Sequence, residues 1–193
     1  YPHVKGGGFR RWHGNQELVI NYGQDGRELK AWADPLYGNS GWSRIVKSTE
    51  FYFREGVTWS ALGTRGISAR YMATGFVIGH KGPAVFGDGN SLRFLLGVLN
   101  SKAAVALLSI TSPTIMFEVG QLRTLPVPAR TSDVLIEQVM CAVELAKRDS
   151  REDETSFDFV EPPRWSDGAT QVTTRQRDIA ALEKDIDEEV YRL

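Results

Sequence analysis

Phe94-Leu-Leu-Gly-Val-Leu-Asn-Ser-Lys102, running on to Pro113-Thr-Ile-Met-Phe-Glu-Val-Gly-Gln-Leu-Arg-Thr-Leu-Pro-Val-Pro128, is the stretch on which the fold turns. Asp88 or Asn90 can cap a helix from Ser91 to about Ser109. Leu92, Leu95, Leu96, Leu99, Ala103 and Ala106 share one of its faces, while Phe94, Val98, Val105 and Leu108 fill much of the rest. A helix apolar nearly all round belongs in a core. The run after Pro113 reads as a short apolar strand, with Phe117, Val119, Leu122 and Leu125 fixing helix to sheet and orienting an exit toward Pro126 and Pro128.

Upstream of the helix, short β-branched or aromatic runs alternate with glycines: Phe51 to Phe53, Val57 to Trp59, Ser68 to Met72, Phe76 to Ile78 and Ala84 to Phe86. Such spacing predicts a compact, mostly antiparallel sheet. Glu17 to Tyr22 predicts one more strand, and Arg27 to Ala33 a short helix ahead of Pro35. Downstream, Ser132 or Asp133 can cap a helix to about Arg148 whose inner face is Leu135, Val139, Ala142, Val143 and Ala146. Residues 150–170 are acidic, carry Pro162-Pro163 and Asp167-Gly168, and show no period, which predicts an exposed linker. Thr173 and Gln176 have capping-box spacing and open a helix striped by Ile179, Leu182, Ile186, Val190 and Leu193. The expected class is α+β: a small, mostly antiparallel sheet packed with a buried helix, then two further amphipathic helices. The divisions are 1–130, 131–149, 150–171 and 172–193.

The net charge of −1 conceals a partition. Up to Arg130 there are 15 Lys and Arg against 8 Asp and Glu, a balance of +7; from Thr131 onward the counts are 8 and 16, a balance of −8. A basic first part suits phosphate neutralisation on duplex DNA, and the acidic part suits contact with protein. The single cysteine, Cys141, excludes an internal disulfide and is expected as a small buried hydrophobe. With no signal peptide and no run of 18 apolar residues, the expectation is a soluble, cytoplasmic protein without a membrane partner. The first residue, Tyr1, and a last helix lacking a Gly or Pro terminator suggest a piece of a larger protein.

Chemistry-bearing motifs are sparse. Gly6-Gly7-Gly8 has no strand pattern before it and reads as a turn that lets backbone approach DNA or a neighbouring loop. Glu161-Pro162-Pro163-Arg164-Trp165 has a Pro-Pro pair near an aromatic but opens on the long Glu and separates the aromatic by Arg164, so it carries no catalytic reading. His3, His13 and His80 have no Cys or carboxylate at ligand spacing, so neither a catalytic residue nor a metal site is expected. Candidate DNA contacts are Lys5, Arg10, Arg11, Arg54, Arg65, Arg70 and Lys81, with Thr58 and Ser60 adding hydroxyls beside Trp59. Trp59 itself is the better candidate for a core anchor.

Three blocks, Lys5-Gly-Gly-Gly-Phe-Arg-Arg-Trp-His-Gly-Asn15, Phe51-Tyr-Phe-Arg-Glu-Gly-Val-Thr-Trp-Ser60 and the 94–128 stretch, together resemble the C-terminal specificity region of adenine-specific DNA methyltransferases. The resemblance is above all to those of bacteriophage-exclusion (BREX) systems, and covers roughly residues 3 to 146. It implies target recognition at Val57 to Ser60, duplex DNA as partner, and a separate catalytic domain holding S-adenosylmethionine, with no cofactor here. Specificity domains of fused restriction endonuclease-methylases and specificity subunits share the Leu-Asn-Ser-Lys and Leu-Pro-Val-Pro endings. A different reading is a module docking other defence subunits, for which the stripe from Ile179 to Leu193 has to be exposed.

Overall fold

The computed structural model describes residues 1–38, 41–111 and 114–193; Pro113, which opens the second quoted run, lies outside them. Two small three-stranded sheets form. In one, β1 (Pro2–Val4) lies between antiparallel β2 (Leu18–Val19) and parallel β5 (Val77–Ile78). The other is antiparallel throughout, with β3 (Gly56–Trp59) between β4 (Ala69–Met72) and β6 (Ala84–Phe86). All four residues of β3 are buried, because the strand is central in its sheet and covered on its faces. Trp59 anchors the core as its indole N–H donates to the Phe117 carbonyl at 2.7 Å. The fold is α+β.

Two predicted strands take other forms. Thr49–Phe51 is a turn of 3-10 helix, and the only strand within residues 17–22 is Leu18–Val19, both exposed. Helix α1 (Gly23–Tyr37) has positive φ at Gln24, Asp25 and Gly26, so regular helix starts at Arg27, and it continues past Pro35. Proline there lacks the N–H that would bond four residues back, and the helix ends two residues later.

The long helix is broken at Ser101. Helix α2 (Gly89–Asn100) is capped by Asp88, whose carboxylate accepts from the Ser91 N–H at 3.0 Å; α3 (Lys102–Thr111) departs at 66°. The cause is polar. The buried Asn100 amide donates to the Ala69 carbonyl at 3.0 Å and accepts from the Ala69 N–H at 2.8 Å, tying the end of α2 to β4. Ser101 turns extended, and its hydroxyl donates to Val98 O and accepts from Ala104 N–H. The freed Lys102 N–H donates to the Asp187 carboxylate at 2.7 Å. Leu-Asn-Ser-Lys is therefore a break at which the N–H groups of Ser101, Lys102, Ala104 and Val105 all find acceptors.

A short helix α4 (Val119–Leu122), not a strand, follows Phe117; residues 115–117 reach the sheet through a Leu62–Met116 bridge and the Phe117 N–H to Ala61 O bond. Helix α5 (Asp133–Arg151), capped by Ser132, buries the expected face. Cys141 is exposed, a correction: it falls on the outer face beside Met140, away from Ala142 and Val143. Helix α6 (Gly168–Arg192) begins before Thr173, because the Thr173 and Thr174 hydroxyls bond back to the carbonyls of Ala169 and Thr170. Its Ile186 and Val190 are buried, and Ile179 and Leu182 pack on the same core with α5 and α2. Among the described residues, no single helix is long and apolar enough to cross a membrane.

Candidate nucleic-acid interface

The site grows from the end of β1. After Val4 the chain turns through Gly6, at φ +89°, where a Cβ would sit 2.6 Å from the Lys81 carbonyl oxygen. Only glycine allows this approach. The glycine run thus follows a strand, contrary to expectation, but leads to irregular chain and not to a helix. It lacks the helix N-terminus on which glycine-rich cofactor loops hold phosphate. Residues 10–12 then lie beside β4, with the Trp12 N–H donating to Ala69 O and the Tyr71 N–H to Trp12 O.

Beneath this loop lies Arg70, 1% exposed. Its guanidinium donates to Arg10 O, Ser68 O, the Ser68 hydroxyl and the Ser60 hydroxyl, at 3.1 to 3.4 Å. All four acceptors are neutral. Burial, with a smaller push from Arg10, lowers its pKa to about 10, so it remains a cation at neutral pH. Ser60 in turn donates to Gly7 O at 2.9 Å, and Thr58 to Pro83 O at 2.9 Å. Arg70, Thr58 and Ser60 therefore face the interior and position loops; the strand that carries them is enclosed, which their residue types did not reveal.

The remaining candidates divide into two groups. Lys5, Arg10, Arg65 and Lys81 are exposed, and Arg11 is half-buried, all on or beside the 5–11 loop. Phe9 lies under two cations, with the Arg65 guanidinium 4.4 Å and the Arg11 guanidinium 5.3 Å from its ring centroid. Arg54 stands apart at the other end of β3, over the stacked Phe51 and Phe86 rings. Phe9 and Asn15, whose amide donates to Gly8 O at 2.8 Å, are site residues that the sequence reading missed. Their signal was an aromatic between basic residues and an Asn near a glycine, types that occupy left-handed turns.

The acidic half folds back onto this block. Asp153 pairs with Arg10 at 3.2 Å, Glu183 with Arg11 at 3.3 Å, and Asp158 with His13 at 3.1 Å. Glu183 also accepts from the Trp12 indole at 3.0 Å. Arg175 bonds Asp149 at 2.6 Å and both carboxylate oxygens of Glu152. The intervening cleft, about 420 Å³, is lined by Arg10, Arg11, His13, Asp149, Glu152 and Arg175. Both signs of charge meet there and largely neutralise each other. Burial lowers the pKa of His13 more than Asp158 raises it.

No protein-family model matches the chain. Curated relatives do: it is 35% identical over 163 residues, 82% of its length, to the adenine-specific methyltransferase PglX of Lacticaseibacillus casei (strain Zhang). It is 36% identical over 162 residues, also 82% of its length, to the adenine-specific methyltransferase BrxX of Escherichia coli O9:H4 (strain HS). The chain is related to the BREX-type adenine-specific methyltransferases. It spans only 12 to 13% of the length of these two proteins. The relationship bears out the resemblance carried by the three blocks.

Proposed function

We propose that this chain is the duplex DNA recognition part of an adenine-specific DNA methyltransferase of a phage-defence system. The observation that carries the reading is the gathering of Lys5, Arg65, Lys81 and Arg10 around one glycine loop in a relative of adenine-specific methyltransferases. Exposed cations on short loops reach phosphates and groove edges, while the enclosed sheet holds their spacing. In the whole enzyme, a catalytic domain takes the methyl group from S-adenosylmethionine and delivers it to the adenine amino nitrogen. The residues here do not fit that cofactor: the glycine run opens no helix, and Glu161 to Trp165 is exposed irregular chain. Docking of defence subunits through the α6 stripe loses support, because Ile186 and Val190 are buried.

Fluorescence anisotropy on labelled duplexes tests the reading. Binding should weaken steeply as salt rises, since each phosphate contact releases counterions and adds about −0.9 to the slope of log K against log salt. In the full-length enzyme, Arg65→Ala should reduce or redirect adenine methylation, read by methylome sequencing. Salt-independent binding, or none at low salt, removes the DNA reading.

A further inference from the structure

The loop Gly7 to Arg11 is built with its carbonyls turned inward. Ser60 holds the Gly7 carbonyl at 2.9 Å, Asn15 the Gly8 carbonyl at 2.8 Å, and Arg70 the Arg10 carbonyl at 3.1 Å. The described structure contains no cis peptide bond. In a trans peptide the carbonyl of one residue and the N–H of the next point in opposite directions. The N–H groups of Gly8, Phe9 and Arg11 are accordingly directed away from these three donors, and none finds an acceptor among the described residues. Successive unbonded N–H groups on a turn with glycines at positive φ form an anion-binding concavity. Gly6 and Gly7 have φ of +89° and +135°, and Gly8 is exposed with no heavy atom within 4 Å of where its Cβ would be.

Charge makes the same argument independently. Arg70 is enclosed, cationic and bonded only to neutral groups, so its field is uncompensated directly below the loop. Arg10 and Arg11 already have carboxylate partners, whereas Arg70 has none among the described residues. A buried charge without a counter-ion is costly unless something of opposite sign arrives.

We propose that the N–H groups of Gly8, Phe9 and Arg11, backed by Arg70, form a phosphate cradle that takes one phosphodiester of the DNA backbone. The proposal rests on the DNA reading for the source of the phosphate. Its chemistry, an oxyanion on backbone amides, also admits free phosphate. Arg70 is then a positioning residue: it turns the Arg10 carbonyl inward, steadies Ser60 and supplies charge without touching the ligand.

Two-dimensional ¹⁵N NMR of the chain, titrated separately with a short duplex, inorganic phosphate and chloride, tests it. The Gly8, Phe9 and Arg11 amide signals should move with duplex and with phosphate but not with chloride. As a second measurement, Gly8→Glu, placed where a side chain meets open space, should weaken duplex binding by about tenfold, the loss of roughly one phosphate contact. Gly8→Gln should weaken it clearly less. Duplex binding that leaves the three amides unmoved, or equal effects of Glu and Gln, overturns the cradle while the DNA reading stands. Movement with phosphate and no response to duplex keeps the cradle as a free-oxyanion site and removes the DNA reading. No movement with either removes both.

Discussion

Arg70 donates to four neutral acceptors from an enclosed position, so its removal strands several buried groups at once. Arg70→Met should lower unfolding free energy by about 1–3 kcal/mol in urea titrations, the usual cost of leaving buried partners unsatisfied. Arg65→Ala, on an exposed cation, should change it by less than about 0.5 kcal/mol. His13 gives a pH dependence of known sign. Its pKa lies below the ordinary 6.5 because burial outweighs the Asp158 contact, so the unfolded chain takes up the proton first as pH falls. The stability that neutral His13 contributes is complete above 6.5 and is lost as pH drops through the folded value. Tm should therefore fall between neutral pH and about pH 5, and His13→Gln should flatten that decline. A Tm that rises on acidification would contradict the assignment. Long cations at loops were legible in the sequence as site candidates, and Lys5, Arg10, Arg65 and Lys81 are exposed. What was illegible was which arginine is enclosed: Arg65 and Arg70 are five residues apart, and only pairing of β3 with β4 separates them. The partners of Arg10 and Arg11 lie 143 and 172 positions away, where no local pattern reaches.

The junction of α2 and α3 depends on one amide. Asn100→Ala removes both bonds to Ala69 and leaves its N–H and carbonyl without that partner in the interior, which should cost about 2–4 kcal/mol by calorimetry or denaturant titration. Gly97→Ala probes the facing helix, because a Cβ there would stand 2.9 Å from Leu135 Cδ1 and Val139 Cγ2. Overpacking at that contact should cost about 1–3 kcal/mol. The buried helix, the cap at Asp88, the face of α5 and the stripe of α6 all followed from apolar period and capping chemistry. The break at Ser101 did not, since leucines continue on both sides and periodicity is blind to an Asn that bonds across to a strand. The start of α6 was misplaced for a related reason: Thr173 suits a cap or a back-bonded helical interior, and Gly168 tucked against Pro163 decided between them.

Across the molecule, the two oppositely charged parts are folded against each other, and carboxylates of the acidic part pair with cations of the proposed DNA surface. Asp153→Asn and Glu183→Gln release Arg10 and Arg11 from their partners. Together they should tighten duplex binding by about 3–10-fold at low salt, in line with roughly 1 kcal/mol for an exposed charge contact, and steepen the salt slope. Anisotropy titrations of the double variant check this; unchanged affinity would mean that neither arginine reaches DNA. The bond from the Trp12 indole to Glu183 joins residues 171 positions apart. A ribosome adds about 5–20 residues per second, so roughly ten to thirty seconds separate the synthesis of the two ends of that contact. From its emergence until α6 is made, the first block lacks the helix that pins it, and closing so large a loop is a slow, late step. The loop of residues 5–11 thus gains its full set of contacts only after α6 has been made and has docked.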